Sequence, residues 1–272
     1  MATDVVIPEL ETLRLELRPD GIAVMTIDRS EQENRQTRAM FAEFGLVAHA
    51  LRDSGARALV LRGAGEQAFC AGFEPAEIDA VTRMGVREFL GFQEMATGGL
   101  TAIRHLPFPV IAAVHGAAAG GGMSLALAAD IRLAAPTAEF ACSFVRVGLS
   151  AGELGTSWQL TRLVGSGRAA EIAYTGRPVA ADEAERIGLV NRVVPAEALF
   201  DEAFALATAI AANSPGGVRM SKRALQRNQE ITSYAAALEL ENRGQALMTR
   251  TEDMPEALAA MRERRDPHFT GR

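Results

Sequence analysis

The 272-residue chain carries 28 Lys and Arg against 34 Asp and Glu, a formal net charge of −6, so it has no global positive field with which to hold nucleic acid. With 48% apolar and 23% charged residues it has the composition of a globular protein long enough to bury its own core. Two cysteines, Cys70 and Cys142, exclude a disulfide framework, and four scattered histidines make no zinc cage.

Residues 1–11 carry acids and no apolar stretch of the kind a signal peptide needs, so a cytoplasmic, thiol-reducing location is expected. Residues 13–17 alternate apolar and charged side chains, and residues 21–27 are β-rich. Pro19-Asp20-Gly21 between them predicts a hairpin turn. Residues 37–54 place Met40, Phe41, Phe44, Val47, Ala48 and Leu51 at helical spacing. A short apolar strand is expected at 58–61, followed by the turn Gly63-Ala64-Gly65. A helix is expected over 84–103 and a buried strand over 109–114. That strand runs into a small-residue turn, 116–122, an apolar helix, 123–129, and another strand, 131–134. The most apolar window, 109–136, is interrupted by His115, Asp130, Arg132 and three glycines, which points to core rather than a membrane span. Alternating strands and helices predict an α/β protein with parallel βαβ units. Residues 195–212 and 218–261 read as alanine-rich helices, broken by Asn213-Ser214-Pro215-Gly216-Gly217. The expected organisation is an α/β core over 1–195 and a helical region over 196–272. No internal repeat is visible.

Three motifs bear on chemistry. Gly148-Leu149-Ser150-Ala151-Gly152 fits the G-x-S-x-G nucleophile elbow, but only His268 follows it, and a chance loop explains it better. Gly165-Ser166-Gly167-Arg168-Ala169-Ala170 fits G-x-G-x-x-A. A helical stretch precedes it where the dinucleotide fingerprint needs a strand, so a glycine stop between two helices is the better reading. The third motif has two parts. Phe69-Cys70-Ala71-Gly72-Phe73 follows one strand, and Ala119-Gly120-Gly121-Gly122-Met123-Ser124 follows another and opens a helix. Glycines let a ligand approach the backbone, and free N–H groups at a helix start favour negative charge. Two such donors make an oxyanion hole for a thioester or ester carbonyl. Tight packing of a strand on a helix explains the same glycines equally well.

At these residues the chain resembles the crotonase superfamily, the enoyl-CoA hydratase/isomerase family. Asp28-Arg29-Ser30-Glu31 with Asn34, residues 61–72 (LRGAGEQAFCAG), 115–130 (HGAAAGGGMSLALAAD), 174–195 and 251–272 carry the likeness, which spans nearly the whole chain. The resemblance implies the crotonase fold, a spiral core of repeated ββα units with a C-terminal helical trimerisation region. It implies trimers or dimers of trimers and acyl-CoA thioester substrates of fatty-acid metabolism. Coenzyme A enters as part of the substrate, with no further cofactor or metal, no nucleic acid and no membrane. By position, the oxyanion N–H groups fall on Phe73 and Gly121, with Ala71, Gly72, Gly120 and Gly122 beside them.

The acid/base positions depart from the hydratase pattern. Ser124 and Phe144 stand where hydratases keep their two glutamates, and neither replaces a carboxylate unaided. Glu153 falls where other branches keep a catalytic carboxylate, flanked by Leu149, Leu154 and Phe144, which would desolvate it. The alternative for Glu153 is a solvated or subunit-contact acid. Ala76 replaces a lysine common in hydratases, which leaves Arg29 and Arg264 as candidates for the CoA phosphates. The resemblance therefore implies double-bond isomerisation with Glu153 as single base. Hydration, non-catalytic acyl-CoA binding and hydrolysis of a non-CoA diketone are the alternatives.

Overall fold

A computed structural model describes residues 7–272, so the N-terminal stretch bearing on a signal peptide lies largely outside the described residues. β1 (Leu13–Leu17) and β2 (Ile22–Ile27) form the expected antiparallel hairpin, with Leu13 opposite Ile27. The Asp20 carboxylate accepts from the Ile22 N–H at 3.1 Å and closes the turn. α1 (Arg38–Arg52) starts at Thr37, whose hydroxyl caps the Met40 N–H, and its apolar stripe is buried.

From here the chain winds through three similar passes. β3 (Ala58–Gly63) and β4 (Ala68–Cys70) lead into α2 (Pro75–Val81) and α3 (Val86–Arg104). β5 (Val110–Val114) and β6 (Ala117–Ala119) lead into α4 (Gly121–Ala128). β7 (Ile131–Ala134) and β8 (Glu139–Ala141) lead into α5 (Thr156–Val164) and α6 (Ser166–Thr175). β9 (Pro178–Ala180), α7 (Ala181–Arg186) and β10 (Arg192–Val193) complete the core. Each pass puts its first strand in one sheet and its second in the other. The first sheet runs β1-β2-β3-β5-β7-β10 and is parallel from β2 onward; the second runs β4-β6-β8-β9. This is the spiral of ββα units that the resemblance implies.

The central strands β2 and β5 are buried along their whole length because both faces of the sheet are covered there. On β3, Leu59 and Leu61 join the larger core with Phe44, Val114 and Phe140, while Ala58 and Val60 face the other way. There they meet α8 (Leu199–Ala211), which lays Leu199, Ala203, Ala207 and Ala211 on the sheet. The helical region thus begins as a layer of the core, and continues as α9 (Pro215–Asn228), α10 (Tyr234–Met248) and α11 (Asp253–Glu263). The residue pattern alone finds β1, β2, β3, β5 and β7, and misses the two-residue β10 and all four strands of the second sheet. Each of those four has three residues, too few to show a period, and Ala117–Ala119 reads as turn. Among the described residues no helix is long and apolar enough to cross a membrane.

Lys222, the only lysine of the chain, is buried where α9 meets the sheet. Its ammonium lies 2.7 Å from Asp130 and donates to the Phe108 carbonyl at 2.8 Å. Removing one partner of such a pair strands the other. Lys222→Met is expected to cost about 3 kcal/mol in urea unfolding. That is the low end for a buried pair, because Asp130 keeps the Val110 N–H at 2.8 Å.

Candidate active site

The glycine-rich segments meet at a pocket of about 360 Å³. Phe41 of α1, Ile78 and Val81 of α2, and Phe89 and Phe92 of α3 form its apolar wall. Gly72, Phe73, Gly120 and Gly121 line the side formed by the two motifs, and Phe144, Leu149, Glu153 and Leu154 line another. The Phe73 ring packs between Phe41 and Phe92, at centroid distances of 5.8 and 5.6 Å.

Two backbone donors are presented here. The Gly72 carbonyl accepts from the Gln36 N–H at 2.7 Å. Carbonyl and N–H of one trans peptide point opposite ways, so the Phe73 N–H is turned away from Gln36. At the start of α4, Gly120 adopts φ +50°, a region glycine enters without steric cost. Its carbonyl accepts from the Ser124 N–H at 3.0 Å, which directs the Gly121 N–H out of the helix end. Neither N–H has a hydrogen-bond partner among the described residues.

One carboxylate lines the pocket, that of Glu153. It is half-buried, in a loop bent by positive φ at Gly148, Leu154 and Gly155. Leu154, at φ +48°, is a conformation branched residues rarely adopt, and its side chain lies beside Gly121. Gln93 of α3 donates to Glu153 Oε2 at 3.2 Å. Burial pushes the Glu153 carboxyl above its usual range, and the Gln93 bond opposes this only in part. Arg35, the one cation in the lining among the described residues, is paired with Glu33.

The family model for enoyl-CoA hydratase/isomerase matches residues 18–272. The chain belongs to the enoyl-CoA hydratase/isomerase family. It is 37% identical over 259 residues to the short-chain-enoyl-CoA hydratase of Clostridium acetobutylicum, covering 94% of this chain and 97% of that one. A Mycobacterium tuberculosis protein named "Probable enoyl-CoA hydratase EchA12" is 39% identical over 265 residues, covering 93% of this chain and 90% of that one. The crystal structure of a Streptomyces coelicolor A3(2) protein superposes with a TM-score of 0.94 at 38% identity, covering 100% of this chain and 98% of that one. The chain is thus an enzyme of this family with the crotonase fold.

Within this family member, seven of the residues singled out from sequence line one pocket: Ala71, Gly72, Phe73, Gly120, Gly121, Phe144 and Glu153. Four do not. Gly122 is buried behind the pocket, against the Cys70 carbonyl of β4. Ser124 is buried too: its hydroxyl lies 2.6 Å from that of Thr156 and 3.2 Å from the Gly120 carbonyl. It is spent inside the protein and is not presented to a substrate. Arg29 is half-buried, bonded to the Arg35 carbonyl and 3.6 Å from Glu74, so it braces the loop under the pocket. Arg264 ends α11 in the left-handed region, exposed and away from the pocket lining. The two rejected motifs are a turn, in which the Gly152 N–H bonds the Ser150 hydroxyl, and a helix junction at Gly165.

Arg35, Gln36, Gln93 and Ser143 line the pocket without having been singled out. Arg35 and Gln36 follow the Asn34 motif directly, so position offered a signal for them. Gln93 offered none, because its partner lies 60 residues away and only the packing of α3 beside the Glu153 loop joins them.

Proposed function

We propose that this enzyme moves a carbon–carbon double bond along an enoyl-CoA, with Glu153 as its single acid/base group. One observation carries the reading: among the described residues Glu153 is the only carboxylate that lines the pocket. Phe144 fills with an apolar ring the position where hydratases keep a glutamate, and Ser124 is turned into the core. Addition of water needs a group to activate water and a group to protonate the α-carbon, whereas a double-bond shift needs one base used twice.

The thioester oxygen lies on the Phe73 and Gly121 N–H groups. Glu153 removes a proton from one carbon, the electron pair moves onto that oxygen as a dienolate, and the N–H donors hold the charge. The same carboxyl returns the proton to the other end of the dienolate. Atoms and charge balance without a cofactor; coenzyme A enters and leaves as part of the substrate. Gln93 holds one carboxylate oxygen and leaves the other for the proton. The phenylalanine wall keeps out the water that would compete for it. Arg29 and Arg264 are held as CoA-phosphate ligands only if a neighbouring subunit or loop movement brings them to the substrate. Exposed Leu225, Leu247 and Met261 on α9–α11 support assembly as a trimer or a dimer of trimers.

The test is incubation of the protein with a trans-2-enoyl-CoA in D2O, read by mass spectrometry. Deuterium in the acyl chain without addition of water supports isomerisation. Addition of water overturns it in favour of hydration, the activity for which the Clostridium acetobutylicum relative is named. Binding of the CoA ester with neither change overturns it in favour of a non-catalytic acyl-CoA-binding protein.

A further inference from the structure

Gln36 is wholly buried and makes three bonds around the two backbone donors. The segment 33–36 runs beside 71–74: the Ala71 N–H donates to Glu33, the Gln36 N–H to Gly72, and the Glu74 N–H to Gln36, at 3.0, 2.7 and 2.8 Å. The peptides on either side of Phe73 are thereby each bonded to the Gln36 backbone, one through the Gly72 carbonyl and one through the Glu74 N–H. The Gln36 side chain reaches the other donor, with Nε2 donating to the Gly121 carbonyl at 3.1 Å. A carbonyl only accepts, so the amide has one usable orientation, and it leaves Oε1 buried with no partner among the described residues. An unpartnered buried acceptor costs stability, and an apolar side chain of the same size would avoid that cost. The amide oxygen also presses on Gly121: a Cβ there would stand 2.0 Å from Oε1 and 3.1 Å from the amide carbon.

We propose that Gln36 is a positioning residue that locks the two donors of the oxyanion hole to each other, its backbone setting the Phe73 N–H and its side chain setting Gly121. The proposal rests on the reading of Phe73 and Gly121 as thioester ligands and adds the element that fixes their spacing. A hole that must fit the oxyanion rather than the ground-state carbonyl is sensitive to small displacements. Loss of the Gln36 amide therefore weakens polarisation of the bound thioester more than it weakens binding.

The experiment uses hexanoyl-CoA labelled with 13C at the carbonyl, a saturated ester that binds without reacting, and isotope-edited infrared spectroscopy. Wild type is expected to shift the thioester C=O stretch to lower frequency on binding. Gln36→Leu is expected to lose at least half of that shift and to keep or raise its thermal midpoint. With an enoyl-CoA substrate its kcat is expected to fall by roughly 10–100-fold while KM stays within about twofold. If the Leu variant does not fold, Gln36→Met, which is as long and equally without a donor, carries the same expectations. A variant that retains both the full shift and kcat overturns the proposal. A variant that loses stability but not the shift overturns it too, since Gln36 is then only a packing residue. A wild type with no shift overturns the oxyanion reading itself, and the proposal with it, so the two failures are distinct.

Discussion

Glu153→Gln is expected to lower the rate of deuterium exchange and double-bond shift by roughly 10²–10⁴-fold, with little change in affinity for the CoA ester. The substitution keeps the shape of the side chain and its bond to Gln93 but removes the only carboxylate that lines the pocket among the described residues. The pH dependence follows from the same burial. Glu153 must be ionised to take a proton, and desolvation holds its pKa above the ordinary carboxylate value. Activity should therefore fall as pH drops through that raised pKa, with an acid limb at higher pH than an exposed glutamate would give. Stability carries the opposite sign. A buried acid with a raised pKa binds more protons folded than unfolded, so it destabilises the protein as pH rises through that value. Glu153→Gln should hold or gain stability at neutral pH while activity disappears, which separates a lost base from a lost fold. A variant with near wild-type turnover would assign the proton transfer elsewhere.

Gly122→Ala should remove both stability and activity, because it acts where the two halves of the site are pressed together. A Cβ on Gly122 would stand 2.0 Å from the Cys70 carbonyl oxygen and 2.8 Å from its carbon. These are backbone atoms of a buried strand, paired with β6, and they cannot turn aside as a side chain would. Relief requires α4 to move off β4. Overpacking of this kind costs about 1–3 kcal/mol, and a clash with backbone belongs at the upper end. The same movement separates the Gly121 N–H from the Phe73 N–H, so turnover should fall even in the fraction that remains folded. Gly45 of α1 provides the control, since a Cβ there meets nothing within 4 Å. Gly45→Ala should hold or gain stability at unchanged turnover, by removing a glycine from a helix interior. Urea unfolding with kinetics on the folded variants checks both.

The glycine run also shows how far the sequence reading reaches. From sequence, Gly120–Gly122 supports either an oxyanion hole or close packing. In the fold the neighbours divide the work: Gly122 permits the approach of α4 to β4, and Gly120 turns the chain so that the Gly121 N–H leaves the helix end. Ser124 and Phe144 are equally instructive. Their chemical type excludes a hydratase-like pair of carboxylates, but whether a hydroxyl faces substrate depends on what lies beside it, and Thr156, 32 residues on, draws Ser124 inward.

The amino-acid sequence by itself determines five of the six strands of the first sheet, the longer helices, the family and seven of the residues that line the pocket. These rest on local periodicity, on glycine where side chains are forbidden, and on motifs contiguous in the chain. Only the tertiary structure decides how those pieces act together. It makes strands of three-residue segments through their sheet partners, turns Arg29 and Ser124 inward, and leaves Arg264 outside. It also brings Gln93 to Glu153 and Gln36 to Gly121. The reason is physical: a hydrogen bond between residues 60 or 85 positions apart leaves no trace in local pattern, and exists only once the core has packed the elements that carry them.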